Sequence, residues 1–535
     1  MERAVFNNPV IFADYSAPDV ICVGDTYYMT CSSRHFVPAL PLLVSNDLVN
    51  WNLVGYAAKS VDSFSSPNHF CSLSAPSLRY HDNRFVICVA LADEGIFVTE
   101  SADFYGEWSP LRLVKKARGF VDPCPFWDDS GKAYIVHSFD KLRIGFQNRL
   151  SAFEVDSKTL ECIGEERVIF SGEEAGEEQF SLSCPKIFKR GAFFYILVST
   201  KSELEGWQTL LRSFSLFGPY SESVVLEQNK SHVNSPCCST LVSNPSGLSY
   251  LLHTQDRGTW GNVVFTEPAS WTKGGWLSAG SGFSYLSIPG EALDSAECPS
   301  CISEKALSGI SARSCDDDFS DGKPSLQWQW QANPSDDFFE KRTGERGLFL
   351  KAKNGRRFLW EMANVLSEKI VFEDFFAEIE MDISGLRAGE GAGAIVLSSG
   401  YMAIEARKSE KGASLCLLES YNTGFFDEKR GERTVAVLPL SVDTRDIVFV
   451  LDFTALAVDK KKAIAQGFDT ERPSEALCVL SARIGDKSFL FDSAPFFCRA
   501  EHSSPCRIGF YARGSGGNAV VKSVRVKEIL RNYSK

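Results

Sequence analysis

No stretch of this 535-residue chain comes near the roughly eighteen uncharged apolar residues that a membrane-spanning helix needs. The opening run MERAVFNNPVIFADY lacks both the basic start and the apolar stretch of a secretory leader, so a cytoplasmic location is expected. Positive charge is in short supply: 56 Lys and Arg stand against 68 Asp and Glu, a net charge of −12. That balance suits neither neutralisation of a nucleic-acid backbone nor residence on an anionic membrane, so neither is expected as a partner. Wholesale disorder is excluded too, because 44% hydrophobic and 23% charged residues supply enough apolar side chain for a real core.

The sixteen cysteines lack the spacing of a disulfide framework. Cys22, Cys31, Cys88, Cys416 and Cys478 sit inside apolar runs, which reads as small core residues in a reduced state. The lone CxxC, Cys298 to Cys301, has only Cys315 as a nearby thiol and no nearby histidine, short of a tetrahedral zinc set.

What the chain does have is a repeat. A proline, a short apolar strand, a polar turn and a strand rich in aromatic and β-branched residues recur five times. The copies are APDVICVGDTYYMTCS from Ala17, APSLRYHDNRFVICVA from Ala75, DPCPFWDDSGKAYIVHS from Asp122, CPKIFKRGAFFYILVS from Cys184 and SPCCSTLVSNPSGLSYLLHT from Ser235. Their lead prolines, Pro18, Pro76, Pro123, Pro185 and Pro236, step by 76 − 18 = 58, 123 − 76 = 47, 185 − 123 = 62 and 236 − 185 = 51 residues. Such a period fits one four-stranded propeller blade, so an all-β chain opening on a five-bladed β-propeller is expected. In that architecture the start of each inner strand faces the funnel where ligands bind.

After Trp276 the pattern dissolves, and a second all-β run opens at Asp316-Asp317-Asp318-Phe319. The expected domains are therefore a propeller over 1–312 and a β-sandwich over 313–535. Trp328, Trp330, Trp360, Tyr401, Tyr421 and Phe425 could stack sugars, but sandwich aromatics are more commonly core.

The stretches ADYSAPDVICVGDTYYM, SNDLVNW, APSLRYHDNRF, FVDPCPFWDDSGKAYIVHS and CPKIFKRGAFFYILVS resemble the blades of glycoside hydrolase family 43. DDFSDGKPSLQWQWQANP and LWEMANVLSEK resemble the concanavalin-like β-sandwich of its β-xylosidase and α-L-arabinofuranosidase members. The resemblance implies three funnel acids: a general base, a general acid and an aspartate that tunes the acid. The base position, before the first-blade proline, is Ala17; the tuning position is Asp122; the acid position, in a run like E-G-P-K, is Ser183. It further implies Asp19, His35 and Arg143 as substrate-binding positions, Ser74 where the family has tryptophan and Asn262 where it has arginine. No cofactor is expected, since the histidine of the family's calcium site is replaced by Cys237.

Inverting hydrolysis needs one carboxyl to protonate the leaving oxygen and another to activate water across the ring. Alanine and serine do neither. The primary expectation is a hydrolytically impaired relative that binds arabinose- or xylose-containing oligosaccharides or plant-type polysaccharide fragments. Two alternatives stand beside it: an active O-glycosyl hydrolase using relocated carboxylates drawn from Asp19, Asp122 and Glu177 or Glu178, and a scaffold with a vestigial funnel.

Overall fold

In the computed structural model, residues 5–69, 71–172, 180–202, 205–228, 235–283, 289–297, 310–342, 344–355, 357–421, 431–456, 474–498 and 505–530 are described. The CxxC cysteines Cys298 and Cys301, the acidic run containing Glu177 and Glu178, and Phe425 lie outside those residues. No helix among the described residues is long and apolar enough to cross a membrane.

Five consecutive antiparallel sheets, each with a core of four strands in chain order, form the propeller. Their inner strands are Ser16–Val23, Leu73–His81, Phe120–Trp127, Ser181–Arg190 and Cys237–Ser243. Tight turns set the register of each hairpin; Asp82 and Asn83, at φ +48° and +59°, supply the doubly left-handed turn that matches strand twist in blade two. The second and third strands read as nearly continuous apolar runs, such as Arg84–Leu91 and Ala39–Ser45, because both of their faces pack against neighbouring blades.

Ile310–Ser311 still pairs with the outer strand of blade one, whereas Asp317 bridges Val524 in the second unit. From there two eight-stranded sheets face one another as a sandwich. Strict alternation of buried and less buried residues in Phe375–Asp382 and Asp446–Ala455 points one face of each strand into a single core. Trp328, Trp330 and Tyr401 are buried, as expected of core aromatics; Trp360 is half-buried.

Propeller and sandwich share a polar and aromatic seam. Val37 and Trp330 form a β-bridge, Trp260 is fully buried and donates from Nε1 to the Phe372 carbonyl at 2.8 Å, and Tyr56 donates to the Leu326 carbonyl at 2.8 Å.

Candidate functional site at the propeller axis

Every inner strand is interrupted at the same place. Register shifts between Ser16 and Asp19, Ser74 and Ser77, Val121 and Cys124, Ser183 and Lys186, and Cys237 and Thr240 set two inner-strand residues opposite one partner residue in every blade, a bulge of one extra residue. The first of each pair, Ala17, Ala75, Asp122, Cys184 and Cys238, has φ of +49°, +32°, +54°, +52° and +50°. Left-handed backbone at a non-glycine residue costs about 1–3 kcal/mol and re-aims the side chain off the strand. Four of the five precede proline. In blade five the equivalent pair is Cys238-Ser239, so the lead position expected at Pro236 is displaced by three residues, a slip that sequence repeats alone do not reveal.

The five residues close on one another at the axis. Ala17, Ala75 and Cys184 form one apolar cluster with Cys238 packed against it, and Asp122 is the single ionisable member of the ring. Asp122 is 7% exposed; its Oδ2 accepts from Ser138 Oγ at 2.8 Å and from the Cys184 backbone N–H at 2.9 Å. Burial raises its pKa, partly offset by those two hydrogen bonds and by the Lys186 charge. Cys184 and Cys238 are joined as a disulfide between blades four and five, whereas Cys22, Cys31, Cys88, Cys416 and Cys478 are free thiols. That pairing is set by propeller closure across 54 residues of sequence. Ser183, half-buried, stands one residue before this link and opposite Ser199.

One step further along the inner strands lies a charged belt. Asp19 is fully buried and accepts from the Leu78 N–H at 2.8 Å, Arg79 Nη1 at 2.8 Å and Thr240 Oγ1 at 2.6 Å, with Lys186 Nζ at 3.5 Å. Lys186 donates in turn to the Pro76 carbonyl at 2.9 Å and Ser77 Oγ at 2.8 Å. Burial alone would raise the Asp19 pKa; Lys186, Arg79 and the hydrogen bonds reverse that and hold it below the usual carboxylate range. Asp19 is thereby a strut between four blades, charged at neutral pH, with its oxygens engaged below the ring rather than in the funnel. A lysine and an arginine on this axis, together with the Cys237 thiol bonded to Thr254 Oγ1 at 3.2 Å, do not fit the oxygen cage calcium requires. Among the described residues no group of three or more His, Cys, Asp or Glu is placed to hold a metal.

On the funnel side of blade one, Arg34 grips Asp14 through two bonds of 3.1 and 3.2 Å and reaches Ser16 Oγ at 3.2 Å. Asn262 joins from blade five, its N–H to Asp14 Oδ1 at 2.9 Å and its Nδ2 to Ser16 Oγ at 2.8 Å. Gly261 is required beside it: at φ +74°, a Cβ would lie 2.5 Å from Asp14 Oδ1. Burial would raise Asp14, yet Arg34 and the Asn262 N–H pull its pKa down.

His35 is not part of that network. It is 5% exposed, packs on Phe36 and His69 at ring distances of 4.2 and 4.6 Å, and leaves Nε2 without a hydrogen-bond partner. His69 continues to Trp360 of the sandwich, ring to ring at 4.1 Å and Nε2 to the Trp360 carbonyl at 3.0 Å. Burial and the neighbouring His69 depress the His35 pKa well below its ordinary value, so this imidazole is neutral at pH 7. Arg143, in the short helix Lys141–Ile144, is held by Asp93 and Asp140 at 3.1 Å each on the rim between blades two and three.

The sequence points to Ala17, Asp122 and Ser183 as one site, and the fold brings Ala17 and Asp122 into one ring with Cys184 next to Ser183. It does not signal Asp14, Arg34 or His69, and it offers Trp360 only among the sandwich aromatics able to stack sugars. Lys186 stands in the quoted CPK run, yet only closure of five blades gives it a partner.

Comparison with known proteins agrees with this geometry. Residues 6–277 match Glycosyl hydrolases family 43, and residues 316–481 match the Beta xylosidase C-terminal Concanavalin A-like domain. The chain therefore belongs to glycoside hydrolase family 43. A candidate beta-xylosidase of Xylanibacter ruminicola is 32% identical over 69% of this chain and 68% of its own length. A solved family 43 glycoside hydrolase, engineered to display both endo-xylanase and exo-arabinofuranosidase activity, superposes with a TM-score of 0.82 at 19% identity, covering 99% of this chain and 100% of that one. A bifunctional GH43-CE protein of Bacteroides eggerthii superposes at 0.77 with 19% identity; this chain is covered to 99% but spans only 64% of that longer chain. At such identities the two superpositions speak to fold.

Proposed function

We propose that this family 43 member binds arabinose- or xylose-containing glycans in its propeller funnel without hydrolysing them by the family's inverting mechanism. The observation that carries the reading is the axial ring: of Ala17, Ala75, Asp122, Cys184 and Cys238, only Asp122 can exchange a proton at a catalytically useful pH. The base and acid positions implied by family resemblance are occupied by Ala17 and Ser183. General acid–base catalysis is worth roughly 10²–10⁴ per group, so the loss of both removes on the order of 10⁴ or more in rate.

Relocated carboxylates receive little support. Asp19 is saturated by cations and donors, and Asp14 is clamped by Arg34. The propeller nevertheless keeps groups suited to a sugar: the half-buried Asn262 amide, with the half-buried Trp360 indole at the seam.

Isothermal titration calorimetry with xylo- and arabino-oligosaccharides, beside a hydrolysis screen on aryl pentosides, galactosides and uronides, tests the proposal. Saturable binding with no released nitrophenol supports it. Turnover by the unmodified chain overturns it in favour of an active glycosidase, and absence of both leaves the scaffold reading.

A further inference from the structure

The propeller axis has a second mouth. Below the Asp19 belt, at the ends of the inner strands opposite the funnel, a cavity of about 350 Å³ opens among blades one, two, four and five. Its wall carries four cations, Arg79, Lys186, Lys189 and Arg190, and no carboxylate, alongside apolar Ile21 and the Trp271 indole.

Counting the carboxylates that touch these cations leaves the cavity positive. Asp19 answers Arg79 and Lys186, and Asp129 answers Lys189, so four positive charges face two negative ones. In a chain of net charge −12 such a concentration is unusual. The partnering is also lopsided. Asp19 is fully buried within the belt, Asp129 is 80% exposed, and Arg190 pairs with no carboxylate among the described residues. Instead the Arg190 guanidinium lies over the Trp271 ring, 4.4 Å from its centroid, which orients its plane and leaves its N–H edge free. Arg79 spends Nη1 on Asp19 and the Leu78 carbonyl and one Nη2 bond on Cys124 Sγ, while its side chain remains 21% exposed. Guanidinium groups supply five donors each, so both arginines keep donors for a guest.

We infer that this lower mouth is a binding site for a phosphate dianion, either free or as the phosphate group of a small metabolite. The two guanidinium groups, with the Lys189 ammonium beside them, match the charge and acceptor geometry of such an oxyanion, while Lys186, its donors spent on Pro76, Ser77 and Asp19, adds charge alone. The volume exceeds what a bare phosphate fills, and the Ile21 and Trp271 side leaves room for an organic remainder. The Asp19 belt separates this cavity from the funnel, so the inference is independent of whether the funnel binds sugar.

Calorimetry on the full chain at low ionic strength tests it, with inorganic phosphate and a pentose 5-phosphate as probes and sodium chloride as the control for bulk screening. Arg190 is exposed and Lys189 half-exposed, so Lys189→Ser with Arg190→Ser removes two wall charges without opening the core. Unchanged thermal unfolding in phosphate-free buffer establishes that this variant is folded. The expected result is saturable binding that weakens by about tenfold or more in the double variant, as loss of a charge-assisted hydrogen bond predicts. Saturation by inorganic phosphate and by the pentose phosphate equally identifies the free ion as sufficient; preference for the latter assigns the organic remainder. No saturable heat with either probe, or equal affinity in wild type and variant, overturns the inference.

Discussion

The backbone N–H of Cys184 donates to Asp122 Oδ2 at 2.9 Å, joining the one carboxylate of the axial ring to the residue that also crosslinks blades four and five. This bond, with that from Ser138, orients Asp122 as a buried acceptor. Because burial raises its pKa, the folded state holds more protons than the unfolded chain just above pH 3.8, and stability falls as pH rises through that window. Asp122→Asn removes the titration while keeping an acceptor oxygen. Its unfolding midpoint relative to wild type is expected to be higher at pH 7 than at pH 3.5, measured by scanning calorimetry.

Placing acids at the positions that the family resemblance implies for base and acid is the direct test of the proposed impairment. Ala17→Asp with Ser183→Glu is expected to release nitrophenol from an aryl pentoside at a rate on the order of 10⁴ above wild type, if geometry alone survives in the funnel. Either single substitution should recover far less, since base and acid act in one step. Equal rates in wild type and double variant would contradict the assignment of these positions.

Asp19→Asn addresses the belt. It leaves Lys186 and Arg79 buried beside an uncharged side chain, and breaking a buried pair in this way costs about 3–5 kcal/mol. Since its folded pKa is depressed, the wild-type contribution is present above the unfolded value of 3.8 and is lost as pH falls through the folded pKa. Urea unfolding should show the variant's deficit at pH 7 and a smaller one near pH 3.

Lys369 gives a slope of the same sign at the domain seam, in a higher pH window. Burial and the nearby Arg507 lower its pKa to about 7, while its Nζ sits 3.2 Å from Gln329 Oε1 and 4.6 Å from the Tyr15 ring centroid. Between about pH 7 and the unfolded value of 10.5 the unfolded chain binds the extra proton, so stability rises with pH across that window. Lys369→Met is expected to flatten the slope, visible as a loss of the pH dependence of the urea midpoint between pH 7 and 9.

Cys238→Ser removes the link between blades four and five. Closing a loop of 54 residues is worth about 2–4 kcal/mol through the unfolded chain. Wild type should lose that stability in reductant, whereas the variant should be insensitive to it; equal sensitivity would sink the prediction.

Much of this protein is legible in its sequence. Turn residues such as Asp82-Asn83, and aromatic and β-branched strands after each proline, are local signals, and local signals are what a repeat carries. That positions 17 and 183 carry alanine and serine while position 122 carries aspartate is likewise a matter of sequence. In blade five the local signal misled, because Pro236 mimics the lead proline while the bulge falls at Cys238-Ser239.

Tertiary structure alone decided what the remaining groups do. Asp19 reads as a spare carboxylate until closure of the propeller sets Leu78, 59 residues away, and Thr240, 221 residues away, against it. The same closure pairs Cys184 with Cys238, turns Lys186 into a strut, and gathers Arg79, Lys189 and Arg190 at the lower mouth. Strand formation is written in neighbouring residues. The partner of a buried charge is chosen by the ring that brings distant blades together, where low dielectric makes an unpaired group too costly to leave.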